Sequence, residues 1–184
     1  MTVKDVIKVQ STLLGLEDVI DYFINQPAYP ATATVQAVDL MTRCINLVVS
    51  ELAGSYIPMK ATLNASSNEI EFKDFPNAVL EIIGVTDKNG KSKKYGFTPT
   101  KLTGLSAGDI IEYAYLPKVY GVEDEIGYNE TDIPIRLLAY ASCAEYSLAE
   151  RAFDEAIMWR NRYIEELKSF LKPKNFKIKE RGWS

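Results

Sequence analysis

The stretch that decides the fold is residues 131–171, TDIPIRLLAYASCAEYSLAERAFDEAIMWRNRYIEELKSFL. It reads as a helix, a short corner and a second helix. Asp132 or Thr131 is placed to cap the first helix. Pro134 falls in its first turn, where a missing N–H costs little because the opening N–H groups of a helix have no partner within it. Ile135, Leu138, Ser142 or Cys143, Tyr146 and Ala149 recur at steps of three and four and so share a face. Asp154 is an acceptable N-cap for the second helix, beside Glu155, whose charge suits the positive helix end. Ala156, Trp159, Tyr163, Leu167 and Phe170 form its apolar stripe, with Arg162 and Glu166 one turn apart on the solvated side. Two amphipathic helices joined this tightly fold back as a hairpin.

Upstream, residues 2–25 read as one or two helices, with a capping arrangement at Thr2 and Asp5 and a break at Gly15. The two prolines of QPAYPAT make a loop. Residues 32–53 carry the strongest helical pattern, capped by Thr32 or Thr34 and ended by Gly54. Val38, Met41, Ile45, Val48 and Leu52 form one stripe; Ala37, Leu40, Cys44 and Leu47 form a second beside it. Such a wide apolar face implies a helix central to its own bundle or one covered in part by a neighbouring subunit.

From Gly54 the period changes to two. Ile57, Met59, Ala61 and Leu63 alternate with polar residues, as do Ile70 and Phe72, and VLEIIGV at 79–85 suits a strand. Asn89-Gly90 marks a hairpin turn with Tyr95 and Phe97 on its return strand, and IIEYAYLP at 110–117 is the last strand. Four to six short antiparallel strands are expected. KVYGVEDEIGYNE at 118–130 is an acidic loop leading back to the helices. The expected architecture is therefore α+β. A helical bundle core comes from residues 1–54 and 131–171. A small antiparallel β-sheet or barrel, with the acidic return loop, is inserted at 55–130. A basic extended tail occupies 172–184.

That tail, KPKNFKIKERGWS, places Lys172, Lys174, Lys177, Lys179 and Arg181 against the single acid Glu180, a local charge of +4 in a chain whose net charge is −4. Phe176, Ile178 and Trp183 are interleaved with the cations. A purely disordered segment seldom carries such residues. Truncation after Leu171 is expected to leave the fold intact.

Composition narrows the chemistry. Hydrophobic residues make up 47% of 184, enough for a real core. The absence of histidine removes His-based triads, general bases and metal ligands. Cys44 and Cys143, far apart and each on an expected helix, read as reduced core thiols rather than a disulfide, and the lack of a CxxC argues against a zinc site. MTVKDVIKVQ has no signal-peptide core and no run reaches the length of a membrane span, so a soluble product of a cytosol is expected, with no membrane partner. Glu123-Asp124-Glu125 matches no calcium loop and reads as a solvated acidic loop. No Walker A sequence, GxGxxG or GxSxG occurs. No catalytic residue, metal or cofactor is expected. Lys88, Lys91, Lys93 and Lys94 ring the Asn89-Gly90 turn. They read first as edge lysines that prevent sheet-to-sheet association. The alternative is a basic finger for DNA or an acidic partner, and with it a nucleic-acid-binding module built from hairpin and tail.

One resemblance is carried by an ordered set of residues. Tyr113, Tyr115 and Pro117 precede the loop to Asp132; then come Pro134, Ala144-Glu145-Tyr146, Asp154-Glu155-Ala156, Trp159 and Tyr163. This order resembles the head-to-tail connector (adaptor) proteins of tailed bacteriophages. The match is strongest over about a third of the chain, and the helix–sheet–helix layout extends it. The resemblance implies a structural virion protein without catalysis, made in the host cytoplasm and placed at the head–tail junction, or neck. It implies a ring, usually of twelve copies, beneath the portal protein and above a downstream tail or neck protein. DNA passes through its channel during ejection without sequence-specific binding. It also implies that the C-terminal segment docks on the portal, here with Phe176, Ile178 and Trp183 as anchors and Lys172, Lys174, Lys177, Lys179 and Arg181 as steering charges.

Overall fold

The computed structural model describes residues 1–128 and 132–171. The tail and its portal-binding residues therefore lie outside the described residues. The 131–171 stretch contains α4, Ile135–Ala149, and α5, Phe153–Leu171, packed against each other. Pro134 is the N-cap of α4, just outside the helix, and makes no side-chain cap hydrogen bond; the N-cap position expected at Asp132 is thus corrected, and Thr131 lies outside the described residues. α5 starts at Phe153, so Asp154 lies inside its first turn rather than at the cap, where its charge still meets the positive helix end. Arg151, with φ 63°, turns the corner between the two helices.

Three further helices complete the bundle: α1, Val3–Leu14; α2, Glu17–Asn25; and α3, Thr32–Ser55. Thr2 and Asp5 form the expected capping box, and Gly15, with φ 68°, ends α1. Ala31 rather than a threonine caps α3, and Gly54 lies within the helix, which closes at Tyr56. α4 is the central element, touching α1, α3 and α5. Leu137, Leu138, Ala139, Ala141, Ser142, Cys143 and Ala144 are all buried, while Ala149 at its end is exposed. Alanines and a serine on adjacent faces let three helices approach one axis. The first stripe of α3 is wholly buried; of the second, Cys44 is buried, Ala37 and Leu40 are half-buried and Leu47 is 62% exposed.

The β region has six strands among the described residues: β1, Met59–Asn64; β2, Glu69–Glu71; β3, Val79–Thr86; β4, Gly96–Phe97; β5, Lys101–Thr103; and β6, Ile110–Tyr115. They form two antiparallel three-stranded sheets, ordered β1-β6-β3 and β2-β5-β4. Ile70 and Leu102 from one sheet and Val85, Ile111 and Tyr113 from the other share a single core, closed by Phe75, whose ring meets Tyr113 edge-on at 4.9 Å. The chain thus forms an α+β fold in which the helices and the sheets each have a core. The expected hairpin is modified. Asn89-Gly90 does turn the chain, but only Ser92 bridges back to Thr86, and Gly96-Phe97 then pairs with β5 in the other sheet.

The return segment, 116–128, is tied into the bundle. Val3 and Lys4, whose N–H groups have no partner within α1, donate to the carbonyls of Asp124 and Val122. Tyr120, Ile126 and Tyr128 enter the helical core. Gly127 runs against Met59 and the hydroxyls of Tyr115 and Tyr120; a Cβ there would lie 3.1–3.2 Å from them. This close packing forms the base on which the sheets stand.

Candidate partner-binding surfaces

Of the two basic patches expected from the sequence, only the hairpin tip lies among the described residues. Asp87 builds that tip: its Oδ1 accepts from the N–H groups of Asn89 at 2.8 Å and Lys91 at 3.0 Å, and Gly90 takes φ 78°. These two N–H groups hold the Asp87 carboxyl below its ordinary range. Lys88, Lys91 and Lys94 are exposed. Lys93 is different. Its Nζ lies 2.6 Å from Asp109 Oδ2 and 2.7 Å from Ser106 Oγ. The Asp109 carboxylate also accepts from the Ser106 N–H at 2.7 Å, and its side chain is only 5% exposed. Lys93 is thereby committed to joining the turn before β6 to the chain after β3, and the free cationic face of the tip is reduced to the other three lysines. The Tyr95 hydroxyl points home, to the Ile82 carbonyl. The structure thus groups Lys88, Lys91 and Lys94 without bringing an aromatic platform to them.

The acidic triplet is structural in part. Asp124 Oδ2 accepts from the Gly121 N–H at 3.0 Å and faces Lys118 at 3.6 Å, which together hold its carboxyl below the usual range. Glu123 pairs with Lys4 at 3.0 Å, and Glu125 bridges to Thr2 through the backbone. Among the described residues no group of acidic or cysteine side chains is arranged to hold a metal ion. Cys44 and Cys143 are free and buried; burial pushes their thiols up to about 11 and about 12, so both stay protonated and unreactive at neutral pH. No helix among the described residues is long and apolar enough to cross a membrane.

Sequence reasoning missed the outer side of α5. Arg162 does not pair with Glu166: it lies over the Trp159 ring, 4.8 Å from its centre, while Glu166 receives Arg136 of α4 at 2.6 Å. Trp159 in turn stacks on Tyr140. With the buried stripe turned inward, Phe153 and Ile157 remain 60% exposed, and Leu148 at the end of α4 is 51% exposed. Ile164 and Leu171 continue the line of Phe153 and Ile157 along the helix, at further steps of seven. That second stripe was present in the sequence, but the stronger stripe through Trp159 accounted for the helix without it. On the β region, Phe97 is 74% and Leu80 44% exposed, and both border a shallow apolar hollow with Tyr95 and Phe72.

No protein-family model matches the chain, and no curated protein sequence matches it.

Proposed function

We propose that the protein is a structural subunit of a tailed-phage virion: the adaptor that forms a ring beneath the portal and joins head to tail around the DNA channel. The observation that carries the reading is the incompletely covered bundle. Phe153, Ile157 and Leu148 at the α4–α5 corner and Leu47 on α3 are more than half exposed. Apolar side chains presented on rigid helices suit lateral packing of identical subunits. The ordered residues from Tyr113 to Tyr163 support the same reading, because Ala144, Ala156, Trp159 and Tyr163 are buried in the helical hairpin and Tyr113 in the core of the sheets. The body, −8 in charge without the tail, suits a channel that lets DNA slide, since strong counterion-releasing contacts with phosphates hold DNA in place. In this account the protein is no enzyme and takes no cofactor. Its partners are the portal protein, a downstream neck or tail protein and copies of itself. Negative-stain microscopy of the protein with and without portal tests the reading: rings on portals support it, and bare portals contradict it.

A further inference from the structure

A groove of about 410 Å³ runs between α3, α4 and α5. Val48 and Glu51 form its α3 side, Ala141 and Ala144 its floor on α4, and Leu167 and Leu171 its α5 side. Small alanines on α4 keep it open. At its wall stands Tyr163, 7% exposed, whose hydroxyl has no hydrogen-bond partner among the described residues. Burial pushes that hydroxyl's pKa well above its ordinary value, and the neighbouring Glu51 carboxylate adds to the shift. A buried phenol keeps its proton and needs an acceptor for it. The molecule therefore has an apolar trough with one unanswered donor inside it.

The groove begins where the described chain stops. Leu171 belongs to its lining, so residues 172–184 leave from its mouth. From Leu171 back to Arg160, which also lines the groove, the helical rise amounts to about 16 Å. Five extended residues, Lys172 to Phe176, reach roughly the same distance. Phe176 and Ile178 fall on one side of an extended segment and Lys177 and Lys179 on the other. A segment so patterned seats an apolar edge in the trough while its lysines stay in water, because the lining sets Glu51 and Glu145 against Arg160 and Lys168 and carries no net charge. Because the segment is tethered at the mouth, its effective concentration there is in the millimolar range, roughly, before any contact forms.

We infer that this groove is the docking site of the chain's own C-terminal segment, with Phe176 or Ile178 seated over Ala144 and a backbone carbonyl of the segment accepting from Tyr163. The tail is then held in reserve on the body it belongs to, and any outside partner of the tail competes with the groove. The inference stands apart from the adaptor reading: it concerns the isolated protein, and failure of the portal contact would leave it untouched.

The test uses the full-length protein with Phe176→p-benzoylphenylalanine, irradiated at low concentration, with adducts mapped by mass spectrometry. Intrachain adducts to residues 48–56, 141–145 or 160–171 are expected. Adding Ala144→Arg, which fills the trough, should remove most of that product while the helical circular dichroism is kept. If the second substitution unfolds the chain, the adduct map of the singly substituted protein decides by itself. Adducts joining two chains, adducts to other surfaces, or recovery of the irradiated chain without adducts each overturn the inference.

Discussion

Asn46 on α3 and Tyr120 in the return segment hold each other twice. The Tyr120 N–H donates to Asn46 Oδ1 at 2.7 Å, and Asn46 Nδ2 donates to the Tyr120 carbonyl at 2.9 Å. The amide side chain thus takes the part of a second strand for one buried residue and fixes the point at which the chain re-enters the helical core. Removing it leaves a backbone donor and acceptor unmet, and each such group costs about 1–3 kcal/mol when buried. Asn46→Ala should lower unfolding stability by about 2 kcal/mol or more in urea titrations. Asn46→Asp, which turns a carboxylate oxygen toward the Tyr120 and Thr42 carbonyls that Nδ2 now serves, should cost at least as much at neutral pH.

This pair also shows what was legible in the sequence. Periodicity placed α3, α4 and α5, left residues 2–25 as one or two helices and marked the change to strands beyond α3, because burial of a face writes itself directly into spacing. It also gave Gly15 as a stop and Thr2-Asp5 as a cap, since both act within one turn of helix. It did not give Asn46, whose partner lies 74 residues away, nor Lys93, whose partner is set by the crossing of two sheets. The helix starts at Pro134 and Ala31 lie a few residues from the expected caps because neither N-cap residue makes a side-chain cap hydrogen bond, so the strongest local capping signal pointed elsewhere.

The base of the sheets predicts how they can be removed. Met59 and Tyr115 are register partners of β1 and β6, and both also pack on the helical core. Paired Cα atoms lie about 5 Å apart, so a linker of a few residues bridges them. Replacing residues 60–114 with a short Gly/Ser linker should leave a folded, helical remainder by circular dichroism. A remainder that is wholly unfolded would show that the bundle depends on the sheets.

Acid should act first through the paired aspartates. Lys93 is the main cause holding Asp109 below the ordinary aspartate value of 3.8, and a Thr2 cap, the Asp87 turn and the Gly121 N–H do the same for Asp5, Asp87 and Asp124. The unfolded chain binds protons more readily than the folded one at these groups. Their stabilisation is therefore complete above pH 3.8 and is lost as pH falls through the lower folded values. Lys93→Met should move the Asp109 titration upward, read by carboxyl carbon NMR, and lower the melting temperature at neutral pH. An unmoved titration would mean that the Ser106 N–H alone holds this carboxylate.

Truncation after Leu171 should leave the fold intact but abolish portal attachment and yield heads that cannot join tails. Within the tail, Trp183→Ala should weaken attachment mainly through faster dissociation, since loss of a buried Trp at an interface costs about 2 kcal/mol or more. Neutralising Lys172, Lys174, Lys177, Lys179 and Arg181 should mainly slow association and flatten its salt dependence. Surface plasmon resonance on immobilised portal separates the two rates. Normal occupancy of portals by the truncated protein would move the anchor to the hairpin at 131–171.

The ring itself is tested most directly by sedimentation velocity of the full-length protein, alone and mixed with assembled portal. The account predicts a monomer or weakly associated species alone, and with portal a boundary carrying a full ring, from which Phe153→Asp with Ile157→Asp is excluded. A protein that stays a stable monomer in the presence of assembled portal contradicts the account.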